Sequence, residues 1–201
     1  MMLRSGDERF GVDDLAALST LVSQAWTSAT DRDWSVPAGT LEWSCTRTID
    51  HAVDCVYAPA FFLASRKTDG YPKAGGDLTL GPSATPATLV ESLAIATRIL
   101  TAVVRDSADD EIAVIFRRPE VVLAHPADFV ARGAMELILH AHDVCAGLGV
   151  PFEPPHDLSL RLREHTRPWP MWTLAWNGLS RTDDPWADLL TSSGRSRAAI
   201  A

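Results

Sequence analysis

The chain has 201 residues, of which 46% are hydrophobic and 22% charged, ordinary values for a globular domain with a substantial core. Its formal charge is −8 and its pI about 5.1, an acidic balance that repels phosphate backbones and argues against a nucleic-acid partner. No run approaches 18 consecutive apolar residues and the first residues are polar, so neither a membrane span nor a signal peptide is expected. Cys45, Cys55 and Cys145 form no CxxC pair and leave one thiol over, which favours free cysteines and a cytoplasmic location.

The first predicted helix runs from about Val12 to Thr30. Leu15, Leu18, Val22, Ala25 and Trp26 recur at helical spacing, and Asp13 and Asp14 suit its positive N-terminal end. A loop with Asp31, Asp33, Pro37 and Gly39 follows. Ser44 is a fitting N-cap for the second helix, whose apolar stripe is Ile49, Val53, Val56, Ala60 and Leu63. Pro59 is expected to kink it. Residues 68–84 are rich in Gly and Pro and form a connection long enough to suggest function or mobility. Thr85-Pro86 opens the third helix, with threonine as cap and proline in the first turn; Leu89, Leu93, Ala96, Leu100 and Val103 carry its buried face. Residues 111–124 are ambiguous, with short extended segments around Arg117-Arg118-Pro119 as one reading. The fourth helix is expected from Ala127 to Leu148, stopped by Gly147, Gly149 and Pro151. Residues 156–166 form another short helix, and a segment with Trp169, Trp172, Trp176 and Trp186 follows it. Those aromatics are expected to dock on the helices or to roof one end. The sum is an all-α four-helix bundle over residues 1–155 with a long connection between helices two and three. Residues 156–201 form a helical, Trp-rich tail packed upon it. Exposed tail tryptophans would leave room for a homodimer.

Chemistry concentrates on two of these helices. Glu136 and His140 stand four apart, about 40° from each other around a helix, and so project the same way. Their neighbours Met135, Leu137, Ile138 and Leu139 are apolar, so part of this polar pair must be buried, and a buried carboxylate needs a partner. A helix-surface ion pair is one reading. A metal site is the other, because His51 lies beside the apolar stripe of the second helix, and bundle metal sites are assembled from facing helices. His142 is six from Glu136 and points elsewhere. Arg132 stands four before Glu136, placed either to hold a carboxylate of a substrate or to pair with Glu136. Asp143, three after His140, is suited to orient that imidazole, or is a surface charge. Cys55, four after His51, is a further ligand candidate or a small buried side chain. Arg132 and Asp143 are thus the candidate catalytic residues outside the ligand set. His125, His156 and His165 receive no role.

The segment Trp43-Ser-Cys-Thr-Arg-Thr-Ile-Asp-His51 resembles the Trp-to-His start of helix two in DinB-like bundles, nearest to the N-terminal domain of mycothiol-dependent maleylpyruvate isomerases. Glu136-Leu-Ile-Leu-His140-Ala-His-Asp143 is similar to their fourth-helix signature, Glu-x-x-x-His-x-Trp-Asp, with His142 in the tryptophan position. Asp184-Pro-Trp186 through Leu190 to Gly194-Arg195 resembles a Pro-Trp, Leu-Leu, Thr-Gly-Arg ending. The resemblance implies that His51, Glu136 and His140 bind a divalent metal, usually zinc. It implies a small-molecule substrate and a thiol such as mycothiol, held as a metal-bound thiolate that attacks an electrophile in S-transfer or thiol-assisted isomerisation. The chain is too short for the second domain of the full-length isomerases. A hydrolase that activates water instead, or a non-catalytic metal-binding bundle, are the competing readings; no HExxH is present to serve a metalloprotease.

Overall fold

The computed structural model describes residues 9–72, 81, 84–117 and 120–197. Four long helices form the frame: α1 (Val12–Thr27), α2 (Cys45–Ala64), α3 (Pro86–Asp106) and α4 (Pro126–Leu148). Between α3 and α4 lies an antiparallel hairpin, β1 (Ala113–Phe116) and β2 (Val122–Ala124), so the ambiguous segment is extended and the chain is mostly rather than wholly helical. Three short helices complete it: α5 (His156–Thr166), α6 (Pro170–Thr173) and α7 (Pro185–Ser192).

Local chemistry explains most boundaries. The Ser44 hydroxyl accepts the Arg47 amide at 3.2 Å and starts α2. The Thr85 hydroxyl accepts the Thr88 amide at 3.3 Å, with Pro86 in the first turn of α3. Gly149, at φ +64°, closes α4 in the left-handed conformation that glycine adopts freely. α1 ends at Thr27, three residues before the expected stop. There the chain turns, so that the Trp34 indole N–H donates to the Ala29 carbonyl at 2.8 Å. α2 runs unbroken through Pro59.

The core fills from α1, α2, α3 and α4 together, with Trp26, Phe129, Leu18, Ile49, Leu93 and Leu137 fully buried. α3 is long and apolar enough by length and composition to cross a bilayer, but Leu89, Leu93, Ala96 and Leu100 are buried within the bundle. The tail docks through polar pairs as well as aromatics. Arg161 of α5 forks onto Asp14 of α1 at 2.6 and 3.1 Å. Arg163 of α5 is buried against Asp188 of α7, whose Oδ1 also accepts the Thr182 hydroxyl at 2.8 Å. Trp186 is buried, edge-on to Phe152 and to His142.

α2 and α4 run antiparallel in the closest contact of the bundle, and two glycines permit it. An added Cβ on Gly133 would lie 3.5 Å from the Cys55 carbonyl oxygen and from the Val56 Cα. That carbonyl is the one whose helical partner Pro59 removes, since proline has no N–H to donate four residues back. At the other end, a Cβ on Gly147 would overlap the Pro37 carbonyl and stand 2.9 Å from the Cys45 sulfur. Cys45 therefore lies by Gly147 and Cys55 by Gly133. His51, between those two on α2, falls opposite Glu136 and His140 on α4.

Candidate metal centre

His51, Glu136 and His140 come together where that packing places them. One donor atom from each lies within 4.8 Å of the other two. His140 Nε2 is 3.6 Å from Glu136 Oε2, and the two imidazoles meet edge to face with centroids 5.2 Å apart. Donors about 2.0–2.1 Å from a tetrahedral zinc are about 3.3 Å apart, so a small side-chain adjustment suffices to close this set on an ion. Two nitrogens and one carboxylate oxygen are a donor set that zinc accepts, and three protein ligands leave a fourth position for another molecule.

Each member of the trio has its own support. Trp43, delivered by the loop that pairs Ala38 with Trp43 at 2.9 Å, sits edge-on to His51 with centroids 5.3 Å apart. Burial first, and then the neighbouring His140, lower the His51 pKa below its ordinary 6.5, which favours the neutral, ligating imidazole. His140 is 9% exposed and is held from behind: its Nδ1 is 3.2 Å from Asp143 Oδ2. Asp143 is itself clamped by Arg195, with Nε to Oδ1 at 2.9 Å and Nη2 to Oδ2 at 2.7 Å. Burial alone would raise the Asp143 carboxyl, but the hydrogen bonds from His140 and Arg195 outweigh it and hold the pKa below 3.8. The ionised carboxylate accepts from Nδ1–H and so leaves Nε2 of His140 free to face Glu136. Glu136 is half-exposed on the open side of the trio.

The other candidates fall at varied distances from the trio. Arg132 does not pair with Glu136 among the described residues. Its Nη1 donates to the Ile115 carbonyl of β1 and, at 3.2 Å, to the Tyr71 hydroxyl. Its guanidinium lies 4.9 Å from the Phe116 ring centroid and 5.4 Å from that of Phe62. Cys55 Sγ is 3.4 Å from His51 Nε2, and burial raises its pKa, so it stands beside the trio as a neutral thiol. All three cysteines are free; burial lifts Cys45 to about 11 and Cys145 to about 12. His142 faces away, with Nε2 2.9 Å from the Ser196 carbonyl oxygen and its ring against Trp186. It joins the tail to the bundle instead of adding an imidazole to the site.

The spacing of the sequence exposed the trio and Asp143 but not Arg195, which reaches Asp143 across 52 residues. Nothing in the spacing pairs those two; only the quoted Gly-Arg ending marked the position. Trp43 was visible as part of a motif, without its contact to His51.

No family model and no curated relative matches the chain. Two crystal structures share its fold. One is the mycothiol-dependent maleylpyruvate isomerase, 15% identical over 82% of this chain and 72% of that one, with a TM-score of 0.52. The other is a histidine-to-alanine mutant of a protein of that name, 14% identical over 79% and 70%, with a TM-score of 0.50. The helical bundle expected from the sequence is the fold these structures share with it.

Proposed function

We propose that this chain is a divalent-metal-dependent enzyme that uses a low-molecular-weight thiol to transfer sulfur to, or to isomerise, a small electrophile. The observation that carries this reading is the convergence of His51, Glu136 and His140 between α2 and α4, three donors that would leave a tetrahedral ion a fourth position. The shared fold with a mycothiol-dependent isomerase makes mycothiol the first thiol to test and zinc the first metal. A cation held by the trio supplies Lewis acidity and keeps a thiol that takes the fourth position deprotonated at neutral pH.

The protein's own groups prepare that chemistry. His51 is kept neutral by burial and by His140. Asp143, tied to Arg195, fixes the tautomer and the direction of His140. Cys55, whose thiol burial pushes up, lines the site 3.4 Å from His51 Nε2. Arg132, one helical turn before Glu136 and anchored by Ile115 and Tyr71, offers a fixed positive charge to a carboxylate on thiol or substrate. Asp143 is a positioning residue and Arg132 a substrate-facing one.

The test is consumption of an epoxide or activated alkene by zinc-reconstituted protein with and without thiol. Turnover that needs both thiol and metal, and that disappears in Glu136→Ala, is the expected result. Ester turnover without thiol would replace this reading with a hydrolase. Loaded protein that turns over neither class would leave a binding protein.

A further inference from the structure

The outward face of α3 is poor in charge for so acidic a chain. Ile95 and Ile99 are 48% and 38% exposed, and Ala94 and Ala102 are exposed beside them. The only charges on the face between Ala87 and Ala102 are one glutamate and one arginine, Glu91 and Arg98. Neither forms an ion pair within the chain among the described residues. The adjoining helix adds no charge: α1 has none from Leu15 to Thr27. Charge depletion around a few large apolar side chains is the composition of an interface centre, not of an ordinary solvated face.

The placement of the two charges specifies the partner. Glu91 and Arg98 are seven residues apart and share the face with Ile95 between them. At 1.5 Å per residue, Glu91 lies about 6 Å to one side of Ile95 and Arg98 about 4.5 Å to the other. A two-fold axis through Ile95 lays a second α3 antiparallel on the first. It sets Ile95 against its own copy and each Glu91 beside the Arg98 of the other chain. A parallel pairing would instead bring like charges together. The same axis carries Ile99 of the second copy to the Ala94 side of the first. There a groove of about 580 Å³ opens between α1 and α3, lined by Ala94 with Ser19, Thr20, Ser23, Gln24 and Thr27 among others. Charge, apolar centre and groove are all self-complementary, which is what an isologous contact requires.

We infer that the α1–α3 face binds a second copy of this chain, antiparallel across α3, through Ile95 and reciprocal Glu91–Arg98 pairs. This inference does not depend on the proposed chemistry, since the face is built on helices other than those that supply the trio.

Sedimentation equilibrium on the full chain over a wide concentration range tests it. Wild type should reach twice the 21.8 kDa chain mass. Glu91→Arg should weaken the dimer about tenfold or more by placing arginines opposite each other, and Arg98→Glu likewise. The double exchange, Glu91→Arg with Arg98→Glu, should restore it. Unchanged helical circular dichroism and thermal midpoint separate loss of pairing from loss of fold. A wild type that stays monomeric throughout overturns the inference and leaves the face to another occupant. A dimer indifferent to both single exchanges also overturns it, because association then lies elsewhere.

Discussion

Two arginine–aspartate pairs with buried carboxylates fasten the tail of this molecule, and they do different work. In one, Arg195 from the segment after α7 grips Asp143 of α4, and Asp143 in turn holds His140. In the other, Arg163 of α5 grips Asp188 of α7, and among the described residues the pair's side chains reach Thr182 and Glu164. Both aspartates are nearly inaccessible, at 3% and 6% exposed. The residue types are the same. What differs is the third member: an imidazole that converges with two other donors in one case, a threonine in the other. A buried ion pair is weak evidence for stability in itself, and its meaning lies in what it orients.

Removing one member of each pair should separate these roles. Asp188→Ala removes the buried carboxylate from Arg163 and leaves it only the partly exposed Glu164, which should cost about 1–3 kcal/mol of stability, read from denaturant unfolding. Metal stoichiometry of the folded fraction should not change; if it does, the tail pair is not merely architectural. Asp143→Asn keeps the shape but loses the anion behind His140. It should weaken metal affinity about 10–100-fold in competition with a chelator, with Arg195→Lys retaining more affinity than Arg195→Ala. Equal affinity in all of these variants would reduce the Arg195 pair to the same status as the Arg163 pair.

The packing that brings the trio together can be strained directly. Gly147→Ala forces a methyl group into the Pro37 carbonyl and should destabilise by about 1–3 kcal/mol, lowering the thermal midpoint. A neutral outcome would mean that the α2–α4 approach is looser than described. The smallest effect is expected from acid. Burial alone would raise the Asp188 carboxyl, but the Thr182 amide and hydroxyl, with Arg163, hold it below its ordinary 3.8. A carboxyl lowered on folding contributes stability that is complete above its unfolded value and is lost as pH falls through the folded one. Docking of the tail, followed by Trp186 fluorescence, should therefore persist to about pH 4 and weaken below it. In Asp188→Asn that acid-dependent part should be missing.

The frame was legible because periodicity and caps are local. Ser44, Thr85-Pro86 and Gly149 mark helix ends by chemistry that acts over a few residues. The end of α1 was misplaced by three residues because a buried contact, Trp34 to Ala29, turns the chain before the helical pattern runs out. Residues 111–124 stayed ambiguous since a four-residue apolar run has no period of its own; pairing with a partner strand makes it extended. Glu136 and His140 were readable as a pair from spacing alone. The facing position of His51 depends on Gly133, Gly147 and the carbonyl freed by Pro59, which are packing facts. Most of the expected 68–84 connection lies outside the described residues.

The most direct test of the metal centre is elemental analysis of the untagged protein after reconstitution, beside His140→Ala. About one divalent metal per chain, lost in the variant, is the predicted result. No bound metal in the wild type, or full occupancy in His140→Ala, would contradict it and return His51, Glu136 and His140 to being packing residues.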